Sequence, residues 1–146
     1  MSERVILLVE DNPQDEMLTL RALKRARVAN HIDVVRDGQQ ALDYLFRDGE
    51  FAGRDGPELP TVVLLDIGLP RLTGLEVLTR LRADARTRLL PVVMLTSSDE
   101  DTDRIASYEG GANSFVRKPV DFGDFAETVA SLGVYWLATN EPLRRD

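Results

Sequence analysis

Five short apolar runs alternating with amphipathic stretches predict an α/β fold: a five-stranded parallel sheet with helices on both faces. Three observations carry this expectation. Val5 to Val9, Val62 to Leu65 and Val92 to Leu95 are unbroken β-branched and aliphatic runs, the pattern of strands buried on both sides. Between successive runs the apolar residues recur with the 3.6-residue period of a helix. The runs also end in polar groups: Glu10 and Asp11 after the first, Asp66 after the third, Thr96 after the fourth and Lys118 after the fifth. In a parallel sheet these tips share one edge, where open α/β sheets bind ligands.

Taken in order, Val5 to Val9 is the first strand. Asn12 and Pro13 then read as a helix N-cap and first-turn proline. Met17, Leu20 and Leu23, supported by Leu18, form the apolar stripe of a helix to about Arg27, with Lys24, Arg25 and Arg27 near its C-terminal dipole. His31 to Val35 is a short second strand, and Asp37 caps a helix carrying Ala41, Leu42, Leu45 and Phe46. Arg47 to Pro60, with three glycines and two prolines, reads as a surface loop. The Asp66 strand follows, then a turn at Gly68 to Pro70 and a helix from about Gly74 whose Leu75, Leu78 and Leu81 face inward. Pro91 opens the fourth strand.

From Ser98 to Glu109 acids crowd the first turn of a helix whose bulky apolar residues are Ile105 and Tyr108, so this helix is weakly anchored. Gly110 and Gly111 end it, and Ser114 to Arg117 is the fifth strand. Asp121 opens a last helix to about Leu137, with Phe125, Val129, Leu132, Gly133 and Trp136 on its period, followed by a short tail over 138–146. Tyr135 and Leu137 fall off that stripe. They motivate the expectation of a homodimer through the fourth and fifth helices and the C-terminal segment.

At 146 residues and 43% hydrophobic content, the chain suits one domain over 1–146 with a real core and no length for an output domain. A net charge of -7 and a pI near 4.8 argue against nucleic acid or an anionic membrane as the main partner and favour a divalent cation or a basic surface. With no cysteine there is no disulfide and no thiolate metal site. The start, MSERVILLVED, lacks the long apolar core of a signal peptide or membrane span, so a cytoplasmic protein is expected. His31, the sole histidine, is assigned no role.

Glu10, Asp11 and Asp66 brought together repel one another and raise one another's pKa unless a cation joins them. A hard, oxygen-seeking ion resolves this, and Mg²⁺ held by one or two carboxylates plus waters suits the pattern. The same ion neutralises phosphoryl oxygens, leaving Asp66 as a nucleophile that forms an aspartyl phosphate. Thr96 can hydrogen-bond one phosphoryl oxygen and Lys118 can pair with another. A cis Lys118–Pro119 bond is a plausible way to aim the lysine.

At these residues the chain resembles the receiver domain of two-component response regulators. LLVEDN, LLDIGLP, VVMLTSS and FVRKP occur in the family's order and with its intervals from Asp66 to Thr96 and from Thr96 to Lys118, and the likeness extends to about Leu137. The resemblance implies a flavodoxin-like (βα)5 sandwich with strand order 2-1-3-4-5, an order taken over from the family rather than read from spacing. It implies that Asp66 is the phosphoacceptor, that Glu10 and Asp11 hold Mg²⁺ together with Asp66 and the backbone carbonyl of Gly68, and that Thr96 and Lys118 form the switch pair. Phe115 occupies the aromatic position that turns inward when Thr96 moves toward the phosphate. Glu10 in place of the commoner Asp, Phe115 without a hydroxyl and the long Arg47–Pro60 loop depart from the usual pattern. DGQQALDYLFRDGEF, IASYEGGANSFV and VYWLATNEPL resemble the small regulators paired with bacterial phytochrome histidine kinases. The expected function is therefore that of a receiver which takes a phosphoryl group from such a kinase, assists its own modification and signals through a partner or dimerisation.

Other chemistries fit less well. A Mg²⁺-dependent phosphatase with an aspartyl intermediate needs an acid two residues after its nucleophile, and that position is Gly68. A flavin or dinucleotide carrier needs a glycine- or hydroxyl-rich first loop, and EDNPQD repels an anion. An unphosphorylated adaptor would have no use for the acid, threonine and lysine set.

Overall fold

The structure, a computed structural model, describes residues 4–26, 31–56, 59–97, 100–118 and 121–141. Strands β1 (Val5–Val9), β2 (His31–Val35), β3 (Val62–Leu65), β4 (Val92–Thr96) and β5 (Ser114–Arg117) alternate with helices α1 (Pro13–Ala26), α2 (Gly38–Phe46), α3 (Gly74–Ala83), α4 (Asp101–Glu109) and α5 (Phe122–Val134). All pairings are parallel, in the order β2-β1-β3-β4-β5. The expected order is thus the observed one. No helix among the described residues is long and apolar enough to cross a membrane.

Alternation along the central strands divides the core in two. Leu7, Val9, Val63, Leu65 and Met94 face α2 and α3, meeting Ala41, Leu42, Leu45, Val77, Leu78 and Leu81. Ile6, Leu8, Leu64, Val93 and Leu95 face α1 and α5, meeting Ala22, Leu23, Phe125, Val129 and Trp136. Both faces are covered, which is why β1, β3 and β4 read as continuous apolar runs. At the sheet's edges β2 and β5 are less deeply buried.

The caps lie where the residue types place them. The Asn12 side chain accepts from the N–H groups of Gln14 and Asp15 at 2.9 and 3.0 Å, and Asp37 accepts from that of Gln40 at 2.7 Å. Thr73 and Glu76 form a reciprocal capping box at the start of α3. Asp121 caps α5, and Gly111, at φ +97°, turns the chain out of α4 toward β5.

Two helices depart from expectation in the face they bury. Met17 is 51% exposed, and the buried face of α1 is Thr19, Ala22 and Leu23 instead. Small side chains there let α1 lie close beside α5. Along α3, Val77 is buried with Leu78 and Leu81, while Leu75 is only half-buried.

At the end of α5 the chain passes into a π-helical turn, Tyr135–Thr139, closed by an Asn140 N–H to Tyr135 carbonyl bond of 2.6 Å. The wider turn shifts the side-chain register, so Leu137, expected off the stripe, is 1% exposed and belongs to the core with Trp136. Tyr135 remains 49% exposed.

The Arg47–Pro60 loop is tied to α2. Arg47 adopts φ 55° to end the helix, and Phe51 meets the Tyr44 ring edge-on at 5.4 Å. The Arg54 guanidinium lies 4.0 Å above that ring and donates to the Tyr44 carbonyl. Arg27 and the Lys118–Pro119 bond lie outside the described residues.

Candidate functional site

The tips of β1 and β3 are fastened to their neighbours at the residues that carry the acids. The Glu10 N–H donates to the Val35 carbonyl at 3.0 Å, and the Asp66 N–H to the Val9 carbonyl at 3.2 Å. Past Asp66 the chain turns at once: the Gly68 N–H donates to Asp66 Oδ1 at 3.3 Å, and the Gly74 N–H returns to the Ile67 carbonyl at 2.8 Å. The group of Gly68 that the structure ties to Asp66 is therefore its N–H. On the other side Glu10 Oε2 accepts from the Asn12 N–H at 3.3 Å, joining the start of α1 to the tip of β1.

This framework brings the three expected carboxylates together. Oxygen atoms of Glu10, Asp11 and Asp66 all lie within 4.8 Å of one another, a spacing that one cation can bridge. The trio grades from inside to outside: Glu10 is buried, Asp66 half-buried and Asp11 exposed. The arrangement therefore has a dry inner carboxylate and a face open to solvent.

Lys118 enters from the end of β5, with its N–H bonded to the Thr96 carbonyl at 2.7 Å. Its ammonium lies 2.6 Å from Glu10 Oε1, 3.0 Å from Asp15 Oδ2 and 3.4 Å from Asp66 Oδ2. Burial pushes the Glu10 carboxyl up to about 7, only partly offset by the hydrogen bond and charge of Lys118. Burial works against the Lys118 ammonium too, but the bond to Glu10 and the charge of Asp66 outweigh it and hold the lysine above its ordinary range. The cluster thus contains a buried cation that counters the acids but cannot balance them all.

Thr96, buried, ends β4 between the strands that carry Asp66 and Lys118. Phe115, opposite Met94 in the ladder, packs part-buried against the core on the α3 face, and the Arg104 guanidinium lies 5.9 Å above its ring. Sequence reasoning missed one member of the site, Asp15. Its signal was present: it lies four residues after Asp11, in the first turn of α1, beside the strand tips where the acids gather.

A family model described as the response regulator receiver domain matches residues 6–130. Among curated relatives, the probable methanogenesis regulatory protein FilR2 of Methanothrix harundinacea is 44% identical, with 93% of this chain and 85% of FilR2 covered. Response regulator Rcp1 of Synechocystis is 35% identical, over 93% of this chain and 90% of its own.

Solved structures agree. That of the phosphorylated cyanobacterial phytochrome response regulator RcpA superposes with a TM-score of 0.91 at 32% identity, covering 98% of this chain and all of RcpA. The Mn²⁺-bound form of Rcp1 gives 0.89 at 34% identity, over 97% and 99%. The bacteriophytochrome response regulator AtBRR is 50% identical with a TM-score of 0.76, over 97% and 100%. Family match, strand order and the clustered acids at the strand tips agree, and the chain belongs to the response regulator receiver domain family.

Proposed function

We propose that this receiver takes a phosphoryl group from a phosphohistidine of a histidine kinase onto Asp66. The observation that carries the reading is the convergence on one part-exposed aspartate of two further carboxylates and a buried ammonium. In the transfer a carboxylate oxygen of Asp66 bonds to phosphorus while the phosphorus–nitrogen bond breaks, and the imidazole leaves with that electron pair. Lys118, 3.4 Å from Asp66 Oδ2, is placed to pair with a phosphoryl oxygen, and Thr96 on the adjoining strand supplies a hydroxyl to another.

The trio Glu10, Asp11 and Asp66, with the Gly68 carbonyl as a further oxygen donor, would hold Mg²⁺. The donor set is all oxygen, as that ion prefers, and the Mn²⁺-bound form of the similar Rcp1 supports a divalent occupant. When bound, the ion would neutralise charge on the phosphoryl oxygens. Such a protein modifies itself once per signal and does not turn over a substrate.

The test is incubation with acetyl phosphate or beryllofluoride and Mg²⁺. The wild type gains one label, read as a mass increase or as a shift of amide NMR signals around Thr96 and Phe115, and Asp66→Asn gains none. Labelling of the variant at the same level would refute the assignment. An adaptor that is never phosphorylated predicts no label in either protein.

The likeness to the phytochrome response regulator RcpA and the bacteriophytochrome response regulator AtBRR supports a kinase of the phytochrome type, and the reading sets the pair in the cytoplasm. Phosphotransfer from a panel of purified kinases checks the pairing; a phytochrome kinase slower than the others would exclude it. For output, a homodimer is supported by exposed Ile105 and Tyr108 on α4 and exposed Val134 and Tyr135 at the end of α5. Leu137, being buried, has no part in it. Light scattering at tens of micromolar, with and without beryllofluoride, tests it, and a monomer in both states would remove the dimer from the scheme.

A further inference from the structure

The ammonium of Lys118 has three N–H bonds to give and three carboxylates to receive them, each from a different element: Glu10 at the tip of β1, Asp15 in the first turn of α1 and Asp66 at the tip of β3. Only two of these acceptors belong to the trio whose oxygens lie within 4.8 Å of one another; Asp15 is not among them. The distinction matters once a cation binds. A divalent ion on Glu10, Asp11 and Asp66 draws on two of the carboxylates that hold Lys118, Glu10 and Asp66, which weakens them as acceptors, and it repels the ammonium. A lysine held by those two alone would either compete with the ion or be driven out of the pocket.

Asp15 supplies the third hold, from outside. Its N–H is fixed by the Asn12 side chain at 3.0 Å, so its place at the rim is set by the cap of α1. Its side chain is 30% exposed, which lets it carry a charge at little desolvation cost. We propose that Asp15 is a positioning residue for Lys118: it anchors the ammonium from outside the cation trio, so that the lysine can yield Glu10 to an incoming divalent ion without leaving the site. This rests on the reading of Glu10, Asp11 and Asp66 as a cation site. Asp15 touches neither the ion nor the phosphoryl group; it acts through the lysine.

The experiment is a double-mutant cycle on the full chain, read by calorimetric titration with Mg²⁺ and with Mn²⁺. Asp15→Ala should weaken binding about fivefold or more, the lower end of ordinary coupling between sites. In a Lys118→Met background the same change should alter binding by less than about twofold, because there is no ammonium left to place. Equal weakening in both backgrounds would mean that Asp15 acts only as a distant charge, and no weakening in either would mean that it does not act; both results overturn the proposal.

A second measurement needs neither metal nor phosphate. In the metal-free wild type the ¹⁵N signal of the Lys118 ammonium should be visible because its protons exchange slowly. In Asp15→Ala exchange should quicken about tenfold, the population effect of losing roughly 1.4 kcal/mol of hold. An unchanged signal overturns the anchor directly. A wild type that binds neither ion would instead sink the cation reading, and the ammonium signal would still decide whether Asp15 holds Lys118.

Discussion

Helix α3 begins so close beneath Asp66 that a β-carbon on Gly74 would stand 2.1 Å from the Asp66 carbonyl oxygen. No side chain fits there, and the neighbour is backbone, which cannot swing aside. Gly74→Ala should therefore push the tip of β3 away from α3, at a cost of about 1–3 kcal/mol as in other overpacked sites. Urea unfolding gives the loss, and the NMR signals of Asp66 and Gly68 report the displacement. A variant as stable as the wild type, with those signals unmoved, would show that the turn has slack.

Most of what surrounds that turn was legible in the chain. Val62 to Leu65 reads as a strand buried on both faces because helices cover both faces, and its polar terminus marks the functional edge. The strand order was not legible from spacing, because crossover rules set the hand of each connection without saying which strand lies beside which; it came with the family resemblance.

Asp15 escaped because an acid in the first turn of a helix already has a sufficient local explanation in the dipole. The helical period sets Met17 inward with Leu20 and Leu23, whereas the close approach of α1 to α5 selects the small face of Thr19 and Ala22. Leu137 was lost to the 3.6 period, which a π-helical turn does not keep.

That turn makes a paired prediction. Leu137 is buried among the core residues on the α5 face, so Leu137→Ala should cost about 2–5 kcal/mol. Tyr135 touches Trp136 only by an edge contact with ring centres 5.2 Å apart, so Tyr135→Ala should cost under about 1 kcal/mol. Chemical denaturation of the two variants decides it. An uninterrupted α-helix, which sets both residues about 100° from Trp136, would make the two losses similar.

Arg82 is the stitch between the end of α3 and the loops that lead into β4 and β5. Its guanidinium donates to the carbonyls of Gly111, Thr87 and Leu90 at 2.9, 3.2 and 2.8 Å and to the Asn113 side chain at 3.1 Å. Arg82→Ala removes all four bonds, although the Thr87 carbonyl keeps the Leu90 N–H and Asn113 Oδ1 keeps the Val92 N–H, and should cost about 2–3 kcal/mol. Arg82→Lys should recover less than half of that, because a single ammonium cannot span the four. Thermal and urea unfolding measure both, and full rescue by lysine would mean that one of the four bonds carries the effect.

Tyr44 carries the pH prediction. Its hydroxyl, buried, donates to Asp33 Oδ2 at 2.5 Å, and Asp33 also pairs with the His31 ring. Burial first, then the hydrogen bond to the Asp33 carboxylate and its charge, hold the phenol protonated well above its ordinary range. A phenol gains its charge as pH rises, so a folded-state value above the unfolded one gives stability that is complete below about pH 10. That stability declines at higher pH, because the unfolded chain then releases a proton that the folded one keeps. At pH 8, Tyr44→Phe should be less stable by about 1 kcal/mol, the net worth of one such bond. Between pH 10 and pH 11 the gap should narrow, since phenylalanine has no proton to lose in either state. Urea midpoints of both proteins at pH 8, 10 and 11 read the change, and the Tyr44 Cζ shift shows whether the folded phenol keeps its proton. A gap of constant size, or a tyrosinate shift at pH 10, would mean that Asp33 and the Arg47–Pro60 loop do not shelter the hydroxyl.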